Sequence, residues 1–225
     1  GNTLNLTDGA LDLSFSDGAL SQIDASVSNG SYSGDFGALT LSQGADFNAS
    51  YNNGLLSSLN ASVDSLDYGN AQGQILLNGA AVNGSFNDDG ALENMHFQAE
   101  NINFDGGANH GQISNASFDN AQLNLSVNDA GEQTLSMSGQ NGSLQAEQGQ
   151  LSVADMDLLE VQTDSSGQIT HMQASFNGAI QFVENDGNMN VEVADLQGSL
   201  NTEENQLSIS FSEAHIGLQI EGLNA

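Results

Sequence analysis

Seven acidic side chains in or beside predicted turns are the residues of this chain best suited to hold a metal ion. Carboxylate oxygens are hard ligands of the kind that Ca²⁺ prefers. No segment follows the twelve-residue EF-hand loop or the nonapeptide frame of calcium-binding solenoids. The sequence therefore predicts no organic cofactor and Ca²⁺ at most as a counterion. The candidate ligands are Asp88, Asp89, Asp164, Glu184, Asp186, Glu203 and Glu204.

Catalytic chemistry has no comparable set of residues. Serine is frequent, but no G-x-S-x-G elbow is present and no histidine is spaced for a Ser-His-Asp arrangement. His96 and His171 lie beside Met95 and Met172. In a strand such neighbours point to opposite faces, so we expect these histidines on an outer, polar face. The sequence predicts no enzyme.

Eight Asn-x-Ser/Thr triplets are candidate acceptors for N-glycosylation. Asparagine and serine also favour turns and outer strand faces, so the triplets are equally an expression of β-structure. They begin at Asn5, Asn29, Asn48, Asn60, Asn83, Asn115, Asn124 and Asn141.

Composition narrows the partners and the location. The 225 residues include no Lys, Arg, Pro, Cys or Trp, and the formal net charge is −29. Such a charge repels nucleic acid and anionic membranes, and no apolar run is long enough to be a membrane helix. A trypsin-like protease finds no cleavage site. These features predict a protease-resistant protein that lies outside the cell or on its surface, without nucleic acid and without membrane insertion.

Glycines mark an internal repeat of six units. Gly1, Gly37, Gly73, Gly111, Gly149 and Gly187 are separated by 36, 36, 38, 38 and 38 residues. The units are therefore 1–36, 37–72, 73–110, 111–148, 149–186 and 187–225, all within one repetitive β domain. A second set of glycines divides the first five units, and Asn205-Gln206 takes the place of glycine in the sixth, which gives twelve halves of 17 to 21 residues. These glycines are Gly18, Gly54, Gly90, Gly131 and Gly167.

The segments between these glycines have the pattern of half-buried strands. Apolar residues recur at every second position, as in Leu123, Leu125 and Val127. Turn sequences such as "SDG", "NNG", "NDDG", "NDAG" and "DSSG" separate the segments. No helical spacing persists for two turns. The sequence predicts an all-β fold.

Half-units of this length are compatible with two architectures. In a β-solenoid or a stack of β-arches each half-unit is one rung, and rungs stack about 4.8 Å apart. In the alternative each half-unit is one strand of an antiparallel meander, which forms a wide sheet or a barrel. The absence of proline and the few aromatic residues favour the solenoid. The difference between odd and even half-units favours the meander. The solenoid is our preferred interpretation.

The repeat also suggests a function. Neither the first nor the last unit carries a segment that would cap an exposed strand edge. We therefore expect a secreted structural protein, the subunit of an extracellular fibre, sheath or matrix, that joins copies of itself head to tail and is amyloid-like. Divalent cations and surface glycans are further expected partners. Two alternatives are a passenger or stalk region of a cell-surface adhesin and a β-groove that carries lipid.

Overall fold

Every regular element of the described residues is a β-strand. The computed structural model describes residues 2–35, 37–70, 73–106, 113–185, 189–202, 204 and 206–218. All sixteen strands belong to one open sheet, so the all-β prediction is confirmed. The strands are Thr3–Thr7 (β1), Ala10–Ser16 (β2), Ala19–Val27 (β3), Asn29–Gly34 (β4), Gly37–Asn52 (β5), Leu55–Asn70 (β6), Gly73–Phe86 (β7), Leu92–Asp105 (β8), Ile113–Val127 (β9), Gln133–Ala146 (β10), Gly149–Thr163 (β11), Ile169–Glu184 (β12), Met189–Ala194 (β13), Gln197–Asn201 (β14), Gln206–Ser210 (β15) and Glu213–Leu218 (β16).

The sixteen strands form twelve strands that each cross the full width of the sheet. Strands β5 to β12 cross it without a gap and contain 14 to 16 residues each. At one side β1 continues into β2 and β3 into β4, and at the other side β13 continues into β14 and β15 into β16. We call these twelve units full-width strands and number them 1 to 12 in chain order.

Consecutive full-width strands pair antiparallel throughout, which makes the fold a meander. The meander alternative is therefore confirmed, and the solenoid interpretation is wrong. The physical reason lies in the connections, because a short turn reverses the chain whereas parallel neighbours need a crossover of a dozen or more residues. Each half-unit is used as one strand about 50 Å long rather than being folded into a rung.

The hairpin turns at one end of the sheet fall into two types. The Asp17-Gly18 and Asn53-Gly54 pairs have φ values of 53° and 83°, and of 52° and 81°. Positive φ at both central residues defines the type I′ turn of a tight hairpin. Longer turns begin at Asn87, Asn128 and Asp164, and in each the side-chain Oδ1 of that residue accepts N–H bonds from the second and fourth residues after it.

The glycines that open the repeat units have a different role. A methyl group at Gly37 would lie 2.4 Å from the Gly69 carbonyl oxygen, at Gly73 2.4 Å from that of Asp105, and at Gly149 2.4 Å from that of Val183. In each case the contact is with backbone of the next strand, which is fixed in the sheet. Glycine recurs at the start of these units because no side chain fits there. Gly1, Gly111 and Gly187 lie outside the described residues.

Strand pairing is interrupted near the middle of most full-width strands. Positive φ values occur there at Asp8, Gln43, Gly79, Asn120, Asn141, Gly178 and Asp195. Register shifts accompany several of them, for example between Ser42 and Ala45 of β5. Bulges of this kind insert an extra residue and bend the strand. These interruptions lie along a line across the sheet, which we call the midline.

The sheet has almost no enclosed core. Among the described residues only Ala49, Ala80, Ala99 and Met156 are buried hydrophobic residues, and three of the four are alanine. The other apolar side chains of the inner strands are mostly half-buried by their neighbours on the same face. One layer of sheet therefore leaves a broad apolar surface in contact with solvent.

Candidate functional site: the apolar face and the two edges

The apolar residues form four rows that cross all twelve full-width strands. Directly opposed residues of antiparallel strands share a face, so a row can be followed from strand to strand through the register. Rows 1 and 2 lie on one side of the midline and rows 3 and 4 on the other. Every position in the four rows is apolar, aromatic or glycine.

The residues of rows 1 and 2 are given in order from full-width strand 1 to strand 12. Row 1 is Leu4, Tyr32, Leu39, Tyr68, Ile75, Phe104, Ala116, Leu144, Leu151, Phe182, Val191 and Ile216. Row 2 is Leu6, Gly30, Leu41, Leu66, Leu77, Ile102, Phe118, Gly142, Val153, Ile180, Val193 and Ala214.

Rows 3 and 4 follow the same order. Row 3 is Leu11, Ala25, Phe47, Ala61, Val82, Phe97, Leu123, Met137, Leu159, Ala174, Gly198 and Ile209. Row 4 is Leu13, Ile23, Ala49, Leu59, Gly84, Met95, Leu125, Leu135, Val161, Met172, Leu200 and Leu207.

All four rows lie on the same side of the sheet. A methyl group at Gly139 would lie 2.0 Å from Cε1 of Phe118, and one at Gly142 would lie 2.6 Å from Cε2 of the same ring. Gly139 and Gly142 therefore share one face of β10, although one number is odd and the other even, because Asn141, with a φ of 50°, lies between them. Gly139 alternates with Met137 of row 3, and Gly142 belongs to row 2. The extra midline residue thus keeps both halves of the apolar pattern on one face.

Small residues leave a groove in this face on the row 1 and row 2 side. Its volume is about 280 Å³, and its lining includes the small residues Ala116, Ser117, Gly142 and Ser143. Its walls include Phe104, Phe118 and Leu151. The groove is open to solvent and almost entirely apolar in chemistry, so an aliphatic chain fits it better than a polar molecule.

The opposite face is polar, and side-chain hydrogen bonds join neighbouring strands on it between rows 3 and 4. Asn48 Nδ2 donates to Asp24 Oδ1 at 2.5 Å, and Asn60 Nδ2 donates to Asn48 Oδ1 at 3.4 Å. Further along, Gln173 Nε2 donates to Glu160 Oε1 at 3.2 Å. These bonds lie across strands and add to the backbone pairing. We call this row the polar ladder; its members are Asp12, Asp24, Asn48, Asn60, Asn83, His96, Asn124, Ser136, Glu160, Gln173, Ser199 and Ser208.

Both edges of the sheet are unpaired within the part of the chain that is described. The path of hydrogen-bonded strands begins at β1 and ends at β16, and it does not close. Together with Phe15 and Phe211, the leucines and isoleucines of rows 1 to 4 on the edge strands are the most exposed large apolar side chains among the described residues. Their exposed fractions run from 51% at Leu13 to 71% at Leu207. Unpaired backbone beside exposed leucine is the surface that pairs with another strand.

A side-chain clasp fastens the edge formed by full-width strand 12. Asp195 lies at the midline between β13 and β14, and its Oδ1 accepts the Gly178 N–H at 3.0 Å. Its Oδ2 accepts the hydroxyl of Ser212 at 2.8 Å. These contacts join strands 10, 11 and 12. The Gly178 N–H, and after it the Ser212 hydroxyl, lower the pKa of the Asp195 carboxyl.

The lowered pKa predicts that acid releases this clasp. A carboxyl whose pKa is lower in the folded protein stabilises the fold fully above its unfolded pKa, about 3.9, and loses that effect as the pH falls through the folded value. We therefore expect the amide protection of β15 and β16, corrected for the intrinsic exchange rate at each pH, to fall on acidification below about pH 4. In Asp195→Asn, which tolerates positive φ but carries no charge, exchange should be faster already at neutral pH and respond less to acid. The matched control is Asp157→Asn on the exposed surface of β11; equal behaviour of the two variants would contradict the clasp.

The acidic calcium candidates do not come together. Within the described residues no group of three or more His, Asp or Glu side chains is placed to hold a metal ion. Asp164 caps its own turn, and the Ser166 hydroxyl followed by the Gln168 N–H lowers the pKa of its carboxyl. Asp88 and Asp89 lie in an exposed turn, and Glu204 N donates to Asn201 Oδ1. Glu184 ends β12, while Asp186 and Glu203 lie outside the described residues. Calcium as a counterion stays a prediction.

The glycosylation candidates lie mainly on strands. Asn48, Asn60, Asn83 and Asn124 belong to the polar ladder, and the first three are on adjacent strands. Asn5 and Asn115 face outward on the same side near the other end of the sheet, and Asn29 and Asn141 lie close to the midline. Of the eight, Asn48 is half-buried and the others are exposed.

The sequence interpretation missed the midline and the four continuous rows. The signal is present, because the apolar alternation changes phase within single half-units. In the central part of β6 the apolar residues are Leu59, Ala61 and Val63, and then Leu66 and Tyr68. A change from odd to even positions inside one strand indicates an inserted residue.

Neither a protein-family model nor a curated protein matches this chain. No helix that could cross a membrane is found among the described residues.

Proposed function

We propose that this protein is a structural subunit that polymerises by adding strand to strand at the two edges of its sheet. The observation that supports this most directly is that strands 1 and 12 both present unpaired backbone with exposed row residues. Each added copy of twelve strands would extend the sheet by roughly 55–60 Å. We further propose an extracellular or cell-surface location, on the basis of the composition.

Charge sets the conditions for this assembly. A net charge of −29 opposes contact between copies at low ionic strength. At 0.1 M salt the repulsion between exposed charges more than about 10 Å apart is largely screened. Divalent cations neutralise the carboxylates further. Polymerisation should therefore increase with salt, with Ca²⁺ and with protein concentration.

Assembly of the purified chain tests the proposal. Sedimentation and negative-stain microscopy over salt, Ca²⁺ and concentration series should show ribbons or fibres. Leu6→Glu with Leu11→Glu adds charge at exposed row positions of strand 1 and should prevent them at every salt concentration. Asn5→Glu with Ser14→Glu adds the same charge to the polar face of that strand and should only raise the salt requirement. Monomers of the unmodified chain under all conditions would refute the proposal.

The continuous apolar face favours one second candidate, a surface that carries lipid. The groove whose lining includes Ala116 and Gly142 supports this candidate, since the surface of the groove is almost entirely apolar. Extraction of the same purified material and mass spectrometry would detect co-purified acyl chains. The adhesin interpretation stays a prediction.

A further inference from the structure

We infer that the two edges of the sheet fit each other in one register, so that strand 12 of one copy pairs with strand 1 of the next. This inference rests on the proposed function and specifies its partner, a second copy of this chain. The paired residues would be Leu4 with Ile216, Leu6 with Ala214, Leu11 with Ile209 and Leu13 with Leu207.

One register satisfies all four rows simultaneously. In an antiparallel pair the residue numbers of opposed positions have a constant sum, as in the β8–β9 pairing, where Phe104 lies opposite Ala116 and Met95 opposite Leu125. The four proposed pairs also have a constant sum of 220, and each pair continues one apolar row. A shift of one residue would place the row residues opposite polar residues or Gly217, which belong to the other face.

The interruptions of the two edge strands coincide in the same register. Strand 1 is broken at Asp8 and Gly9, between β1 and β2. Strand 12 is broken at Phe211 and Ser212, between β15 and β16. Asp8 falls opposite Ser212 and Gly9 opposite Phe211, so the midline passes through the junction without an offset. The shared break follows from the midline that recurs in most full-width strands, and it leaves the two edges compatible in this register.

The directions of strands 1 and 12 and the exposed fractions of their row side chains are also compatible with this junction. Strand 1 and strand 12 run in opposite directions because consecutive strands alternate and the number of strands is even. Leu4, Leu6 and Leu11 are 65%, 58% and 64% exposed, and Ile209 and Ile216 are 63% and 69% exposed. In the inner strands the same rows are mostly half-buried by neighbours on both sides. The junction would give the edge residues the neighbours that every inner strand already has.

The polar face is compatible with the junction as well. The same register places Asp12 opposite Ser208, which continues the polar ladder from one copy to the next. It places Asn5 opposite His215, whose Nε2 lies 3.0 Å from the Glu213 carboxylate. The facing groups on this side include amide, hydroxyl and imidazole, and the Glu213 carboxylate falls opposite the Thr7 hydroxyl. Among the described residues of the two edges, no carboxylate falls opposite another in this register.

Disulfide trapping between two different variants tests the register, since the chain has no cysteine of its own. Leu6→Cys and ¹⁵N-labelled Ala214→Cys are mixed under assembly conditions and oxidised, and heterodimers are counted by intact mass. The matched control replaces Ala214→Cys by Glu213→Cys, which is one residue out of register and on the other face. Opposed residues lie within disulfide distance, about 4.5–5.5 Å between Cα atoms, so we expect at least tenfold more heterodimer from the matched pair than from the control.

The remaining outcomes separate this inference from the proposed function. Polymers that form with equal or greater cross-linking of the control pair would overturn the register while leaving polymerisation intact. A disulfide within one chain of the double variant Leu6→Cys with Ala214→Cys, together with monomers at all concentrations, would mean that the sheet closes on itself, and both proposals would fall.

Discussion

Gly73→Ala is expected to destabilise the sheet by about 3 kcal/mol or more. The added methyl group would lie 2.4 Å from the Asp105 carbonyl oxygen and 3.1 Å from Gly106 Cα. That backbone cannot move aside, because Gln74 and Asp105 are paired in the ladder between β7 and β8. The φ of 147° at Gly73 adds backbone strain for any residue with a side chain.

Gly167→Ala is the matched control for that substitution. Gly167 also marks a half-unit and has a φ of 83°, but nothing lies within 4 Å of the position of its missing side chain. Only the conformational cost remains, about 1–2 kcal/mol. Urea unfolding of both variants measures the difference. Equal losses of stability would mean that the unit-opening glycines are retained for turn geometry and not for contact with the next strand.

Gly139→Ala is expected to cost about 2–3 kcal/mol, because its methyl group would overlap the ring of Phe118. The overlap is severe, at 2.0 Å from Cε1 and 2.5 Å from Cδ1, and the Asp119 carbonyl oxygen lies 3.1 Å away. Phe118 is half-buried and lies on the apolar face in β9. Removing the ring should make room for the methyl group.

A double-mutant cycle isolates this contact. Phe118→Ala alone should cost about 1–3 kcal/mol through lost apolar burial. The double variant should be more stable than the sum of the two single losses predicts, with a coupling of at least 1 kcal/mol. Ser138→Ala is the control in the same cycle, since it neighbours Gly139 in β10 and shows the loss expected without overlap. Strict additivity of Gly139→Ala and Phe118→Ala would mean that the two halves of β10 present their apolar residues on opposite faces.

Local interactions made the strands and turns predictable from the sequence. The Asp17-Gly18 and Asn53-Gly54 pairs carry their turn type in two residues, since only such residues adopt positive φ at low cost. Alternation as in Leu123, Leu125 and Val127 depends only on the two-residue period of a strand. The all-β class followed from these two patterns.

The pairing direction was not predictable in the same way. Parallel and antiparallel strands share the two-residue period, so alternation alone does not distinguish a solenoid from a meander. The useful signal was the length of the connections, because turns such as "SDG" reverse the chain at once. The absence of proline, which favoured the solenoid, is equally compatible with an uninterrupted antiparallel ladder.

The candidate site was the least predictable part. Exposed strand edges were expected from the repeat, but the edge residues Leu4, Leu11, Ile209 and Ile216 became a set only when the register placed them in common rows. The acidic turn residues were predicted from their chemistry. Asp164, however, directs Oδ1 to its own turn, because the backbone N–H groups of Ser166 and Gln168 lie within hydrogen-bonding distance.

In the proposed junction between copies, the even number of full-width strands in the described part of the chain limits how this protein can change in length during evolution. Duplicating or deleting a whole hairpin leaves the terminal strands in opposite directions with their apolar rows on one face, so the ends stay mutually compatible. Gain or loss of a single strand would leave the two ends running the same way, which an antiparallel seam does not accept. Natural variants of a self-joining sheet should therefore differ by multiples of about 36 to 39 residues.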